Sequence, residues 1–165
     1  MSLRDFDKEQ LLSELVTRFA DQVADLTRLA RETAKGATHE EARPEDPKDT
    51  RALEQTYRAR GQAERVAGAE RDLQVLRAVR CVTFSQDDPV AATALVLIED
   101  EDGAQKTVLL LPAAGGSKIE SQGHTVQVIT PNSPLGQALL EKSEGDEVEV
   151  RAGGKPREWE ILAVS

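Results

Sequence analysis

The stretch Ile129–Val150, ITPNSPLGQALLEKSEGDEVEV, decides the fold. Thr130-Pro131-Asn132 stops an apolar run that ends at Ile129. Ser133 is a good helix cap, and Pro134 suits the first helical position, where the N–H it lacks would have no partner. Leu135, Ala138 and Leu139 follow at i, i+3, i+4, so one face of a short helix is buried. Lys142 suits the C-terminal end of the helix dipole. Glu144-Gly145-Asp146 turns the chain, and Glu147–Arg151 alternates polar and apolar as a half-buried strand does. The stretch is a small helix packed on a sheet, and nothing in it is catalytic.

The chain on either side has the period of two expected of that sheet. Val82–Phe84 begins it, within the apolar run Val79–Phe84 that holds Cys81. Thr93–Glu99 and Thr107–Leu111 flank Asp100-Glu101-Asp102-Gly103, and Asp-Gly is a strong hairpin signal. Pro112–Gly116 is a plain connection, since no Gly-Lys-Ser/Thr follows its glycines as a phosphate-binding loop requires. Thr125–Ile129 is a strand, and Gly153-Gly154 turns Val148–Arg151 back into Glu158–Val164. The expectation is a compact antiparallel α+β domain over residues 80–165.

Residues 1–79 have a different period. Over 6–35, Leu12, Val16, Phe19, Val23, Leu26, Ala30 and Thr33 recur at spacings of 4 and 3, the seam of a coiled coil. Thirty residues of helix span roughly 45 Å. Gly36 and the stretch to Thr50 break the pattern, with Pro44 and Pro47 excluding a smooth helix. Residues 51–79 form a second helix, with Leu53, Tyr57, Ala63, Val66, Leu73 and Leu76 as its seam. Gly61 and Gly68 share one of its faces, a spacing that suits a backbone passing close by. Two seamed helices joined by a loop make an antiparallel hairpin. Its tip, about 36–50, concentrates Glu40, Glu41, Glu45, Asp46 and Asp49.

Composition narrows the function. Aromatics make up 3% and charged residues 31% of 165 residues, a lean core that suits a long helical part. No apolar run reaches the length of a membrane span, and the charged N-terminus is no signal peptide. A single cysteine fits a reducing cytoplasm, and Cys81 reads as a buried structural thiol. Residues 1–80 carry 15 basic and 16 acidic side chains, whereas 81–165 carry 6 and 14. The acidic second half argues against free nucleic acid as its main partner. His39 and His124 lie far apart in sequence, and no Cys/His or Ser/His/Asp spacing marks a hydrolase.

Asn132-Ser133-Pro134-Leu135-Gly136-Gln137-Ala138-Leu139-Leu140, Lys142, Glu144-Gly145-Asp146 and Val148/Val150 together resemble the C-terminal domain of the bacterial Gre transcript-cleavage factors. The resemblance covers residues 81–165 well and the N-terminal half loosely, through Arg60-Gly61-Gln62, Gly68 and Leu73. It implies a coiled-coil hairpin followed by an FKBP-like α+β domain. It also implies a cytoplasmic monomer that is not an enzyme by itself. The family's hairpin enters the secondary channel of RNA polymerase, and the polymerase cleaves its own backtracked RNA. By the same resemblance, Ser133, Pro134, Leu135, Gly145 and Asp146 face the polymerase. The FKBP-type isomerases build their pocket from several aromatics. Only Phe84 and Trp159 are available in residues 81–165, which argues against that activity.

The acids of the hairpin tip are the remaining chemistry. On their own they read as a solvated, proline-stiffened turn. One or two carboxylates plus phosphate oxygens are also a common magnesium environment, and a second magnesium activates water against a phosphodiester. Counting back from Arg60, the resemblance places Asp49 on the family's tip aspartate, with Asp46 as the second metal-facing carboxylate and Glu45 or Glu54 as alternatives. The magnesium would be shared with the polymerase, and no cofactor is expected on the chain alone. Where the family has a glutamate three residues after the aspartate, this chain has Ala52. Three readings follow: a cleavage-stimulating factor, a secondary-channel regulator without cleavage, and a hairpin protein with another partner.

Overall fold

A computed structural model describes residues 3, 6–40, 50–152 and 154–165. Its elements are α1 (Lys8–Glu40), α2 (Thr50–Ala78), β1 (Leu95–Asp100), β2 (Gln105–Leu110), β3 (Lys118–Ser121), β4 (His124–Ile129), α3 (Pro134–Leu139), β5 (Glu147–Ala152) and β6 (Lys155–Val164). The chain forms two compact units, Val16–Gln74 and Met1–Leu15 with Val75–Ser165. The starting turns of α1 and the last turn of α2 thus belong with the sheet.

In the helical unit, Val16, Phe19, Val23, Leu26, Ala30 and Thr33 are all partly buried, as their 3–4 spacing requires. Asp7 sets the start of α1, its Oδ1 accepting from the N–H groups of Glu9 (2.9 Å) and Gln10 (3.1 Å). The helix does not stop at residue 35 but runs through Gly36 to Glu40. One interior glycine costs only about 1 kcal/mol relative to alanine and does not by itself end a helix.

The seam of α2 differs from the expected one. Leu53 is 55% and Tyr57 65% exposed, and Ala63 is exposed too. The inward residues are Gln55, Ala59, Gln62, Val66, Ala69 and Leu73, spaced 4, 3, 4, 3, 4. That register runs back from Leu73, the large aliphatic buried most deeply in this unit's part of α2, and it puts Leu53 and Tyr57 on the opposite face. The seam carries a polar layer in which Gln62 Oε1 is buried without a hydrogen-bond partner. Gly61 does not mark a close backbone approach: a Cβ there meets nothing within 4 Å, and at Gly68 it meets only the tip of Arg71.

In the second unit the strand order is β3-β4-β2-β1-β6-β5. The expectation of a wholly antiparallel sheet is corrected at one pair, since β2 and β4 run parallel, Thr107 opposite Val126 and Leu110 opposite Ile129. The crossover that parallel pairing demands is supplied by β3. This short edge strand has only Ile119 buried, so its sequence carries little strand signal. The Asp-Gly hairpin forms as expected: Gly103 has φ +78°, and Asp100 Oδ1 accepts from the N–H groups of Asp102 and Ala104.

One sheet face is a continuous core. Val96, Ile98, Val108, Leu110, Ile129, Val148, Val150, Trp159 and Ile161 pack with Leu139 of α3 and Val90. On the alternate positions Leu95, Leu109, Val126 and Val128 are buried as well, and Leu3, Phe6, Leu11, Leu12, Leu15 and Leu76 are the buried apolar residues that the helix bases contribute to this unit. Fully burying such a side chain is worth about 1.5–3 kcal/mol.

Val82–Phe84 is not a strand. Side chains take its backbone groups instead of a ladder: Val82 N–H donates to Thr93 Oγ1 (3.0 Å), and Val82 O accepts from Lys8 Nζ. Lys8 also lies over the Phe84 ring, 4.9 Å from its centroid. Cys81, in this segment, is half-buried rather than buried. Burial pushes its thiol pKa up and that of Lys8 down, and the nearby Glu9 raises the thiol further.

Candidate functional site

Two groups of residues carry the expected chemistry. Of the acidic group, Glu45, Asp46 and Asp49 lie outside the described residues. Glu54 stands exposed in the second turn of α2. Among the described residues no three His, Cys, Asp or Glu side chains come together as metal ligands. The two histidines do not pair in any described way. His124 begins β4 and meets the Phe6 ring edge-on at 6.3 Å between centroids. His39 lies near the end of α1.

The second group surrounds α3. Ser133 is its cap: the hydroxyl accepts from Gly136 N–H (3.1 Å) and donates to Thr130 O (2.7 Å). Pro134 follows at the first helical position, exposed, with a ring that fixes φ as the helix needs. Leu135 is half-buried against the sheet core. Gly136 admits no side chain, because a Cβ would stand 2.0 Å from Thr130 O. Nothing local in the sequence marks this glycine; only the three-dimensional path of Thr130 does.

The turn after α3 is equally fixed. Gly145 has φ +87°, which suits glycine. Its N–H donates to Ile161 O (2.8 Å), and Ile161 N–H returns a bond to Asp146 O (2.9 Å). Asp146 Oδ2 accepts from Ser143 N–H (2.8 Å). Glu141 and Lys142 bond Val90 through backbone groups, and α3 packs on β5. Pro134, Gly145 and Asp146 are therefore exposed on rigid supports, while Ser133 and Leu135 are half-buried and hold the loop. The arrangement contains no nucleophile with a base beside it. What it offers is a stiff docking surface.

Asp88 holds a neighbouring turn. Its Oδ2 accepts from Ser85 N–H (2.7 Å), which lowers the carboxyl pKa below its usual range.

Comparison with known proteins bears on the same region. Residues 85–165 match the family described as transcription elongation factor, GreA/GreB, C-terminal. Transcription elongation factor GreA of Desulfotalea psychrophila is 30% identical over 86 residues, which are 52% of this chain and 50% of that protein. The chain thus spans about half the length of this curated relative. Two solved structures are similar at a low level. GreA factor homolog 1 (Gfh1) of Thermus thermophilus is 18% identical, with 91% of this chain and 94% of the other covered and a TM-score of 0.39. The GreA/GreB factor from Nitrosomonas europaea is 22% identical, with 59% and 79% covered and a TM-score of 0.36.

Proposed function

We propose that this chain, whose residues 85–165 match the C-terminal domain of the GreA/GreB family, is a Gre-like transcription elongation factor that binds RNA polymerase, inserts its helical hairpin into the secondary channel, and stimulates the polymerase's own cleavage of backtracked RNA. The observation that carries the reading is the motif Asn132–Val150 inside the matched region. The rigid cap and turn around Ser133, Pro134, Leu135, Gly145 and Asp146 support it as the polymerase-facing surface.

In this reading the protein is no enzyme alone. Asp49 and Asp46 would hold a magnesium ion shared with the polymerase beside the backtracked RNA, with Glu45 and Glu54 as less favoured carboxylates. Bound magnesium supplies an activated water for attack on the phosphodiester. The chain's own part is to present negative charge at the hairpin tip and to anchor through its sheet domain. The protein acts as a cytoplasmic monomer.

A second reading, channel occupancy without cleavage, is favoured by Ala52, which stands where the family's second tip carboxylate is expected, and by Pro44 and Pro47 in the tip. One experiment separates the readings. RNA cleavage by stalled polymerase is measured with wild-type protein and Asp49→Asn across a magnesium titration, with polymerase binding measured in parallel. Cleavage that is lost in Asp49→Asn and partly restored by magnesium supports the first. Binding without faster cleavage by wild-type protein supports the second. No binding to polymerase removes both.

A further inference from the structure

Two clefts of the sheet domain differ in charge. On the β1-β6-β5 flank, Glu99, Asp100, Glu101, Glu147, Glu158 and Glu160 surround Trp159 in one cleft. On the β2-β4-β3 flank, a half-open groove of about 460 Å³ is lined by Lys106, Lys118, His124, Gln105 and Gln127 among others, and by no carboxylate. Residues 81–165 hold 14 acidic and only 6 basic side chains. Two of those six, with the one histidine of this half, converge on a single concavity, whereas Arg151, Lys155 and Arg157 lie on the acid-rich β5 and β6, where Arg151 pairs with Glu149 (2.8 Å).

We propose that this groove is an anion site that takes an oligophosphate group. Its geometry follows from strand register. Lys118 lies opposite Gln127, Gln127 lies opposite Val108, and Lys106 is on the same side of β2 as Val108. Lys118, Gln127 and Val108 therefore form a row across three strands, and Lys106 stands two residues along β2 on the same sheet face. With neighbouring strands about 4.8 Å apart and a rise of about 3.3 Å per residue, the two lysine backbones are roughly 12 Å apart. Two flexible ammonium chains close that span on linked phosphates better than on one small anion. At the rim, Glu120 accepts from the Thr125 hydroxyl (2.6 Å) and Glu99 from the Gln105 amide (2.8 Å).

The donor set selects the ligand. Lysines are point charges, and no arginine fork is present to read a planar carboxylate bidentately. Among the described residues the groove's lining holds no Trp, Tyr or Phe, and His124 supplies its one ring. Recognition is of the phosphates. Lys106 Nζ sits 4.6 Å from the centroid of the Trp159 ring, so a ligand that draws the ammonium away changes the emission of the chain's one tryptophan.

The test titrates full-length protein with inorganic pyrophosphate at constant ionic strength, following tryptophan fluorescence and backbone amide shifts. The expected result is saturable binding with shifts confined to residues 105–107, 118 and 123–127. Affinity falls about tenfold or more in Lys106→Gln/Lys118→Gln, since charge-assisted contacts are the strong ones. It is unchanged in Lys155→Gln/Arg157→Gln, on the other flank. Urea midpoints confirm that both double variants fold, and the amide shifts stay readable where the Lys106 change itself alters Trp159. Absence of saturation up to about 10 mM, a range where affinity is worth under about 3 kcal/mol, overturns the site. So does an equal response to sulfate, or unchanged binding in Lys106→Gln/Lys118→Gln. Tighter binding of a polyglutamate peptide than of pyrophosphate overturns it in favour of an acidic protein segment.

Discussion

Gly136→Ala puts the α3 cap to a quantitative test. Alanine in a helix is favoured over glycine by about 1 kcal/mol, so propensity alone predicts a gain. The surroundings predict the reverse. A Cβ at 136 lies 2.0 Å from Thr130 O, 2.9 Å from Thr130 C and 3.0 Å from Ser133 Oγ. The two nearest are backbone atoms and cannot rotate away. Relief requires Thr130 and the first turn of α3 to separate. Thr130 O accepts from both Ser133 N–H (3.0 Å) and Ser133 Oγ (2.7 Å), and separation strains those bonds. Two bonds at about 1 kcal/mol each, with overpacking strain of about 1–3 kcal/mol, outweigh the propensity gain. The net expectation is a loss of about 2–4 kcal/mol, or roughly 10–25 °C in Tm for a domain of this size. Urea and thermal unfolding followed by Trp159 fluorescence report on this unit, because the tryptophan is in its core. A variant within about 0.5 kcal/mol of wild type, the usual range for harmless surface changes, would refute the reasoning.

Gly61→Ala should have the opposite sign, stabilising the helical unit by about 1 kcal/mol, because nothing lies within 4 Å of the new methyl; helicity against urea by circular dichroism checks it. Ser133→Ala should cost about 1 kcal/mol and Ser133→Gly only a few tenths, read by the same Trp159 unfolding curves; equal losses would remove the hydroxyl from its capping role. Cys81 has its thiol pKa raised by burial and by Glu9, so its thiolate fraction near pH 8 is below that of an ordinary cysteine. Its reaction with a disulfide reagent should be slower in the folded protein than in urea, and should accelerate only above the usual thiol range; equal rates in both states would contradict it.

Much of the fold is legible residue by residue. The α1 seam is, because its larger apolar residues between Leu12 and Leu26 keep one 3–4 spacing, and a helix with one apolar stripe has one way to face inward. The Asp-Gly turn and the Ser-Pro start of α3 are legible because the signal lies in the backbone preferences of the residues themselves. The acids Glu45, Asp46 and Asp49 are legible as a charge cluster, but their role comes from resemblance, since clustered carboxylates alone fit a solvated turn equally well.

Other features depend on partners distant in sequence. The second helix has apolar residues on two faces, so Leu53 and Tyr57 look as suitable for a seam as Ala59 and Ala69 do. Packing against the first helix, with Leu73 setting the register, leaves the larger pair in solvent. Val82–Phe84 has strand-like residues, yet Lys8 and Thr93 claim the backbone of Val82 from 74 and 11 positions away. The parallel pairing of β2 with β4 is invisible locally, because alternation fixes which face a strand buries and not which neighbour it lies beside or in which direction. The basic groove is decided the same way. Lys106, Lys118 and His124 are scattered among acids along the chain, and only the order of strands in the sheet brings their charges together.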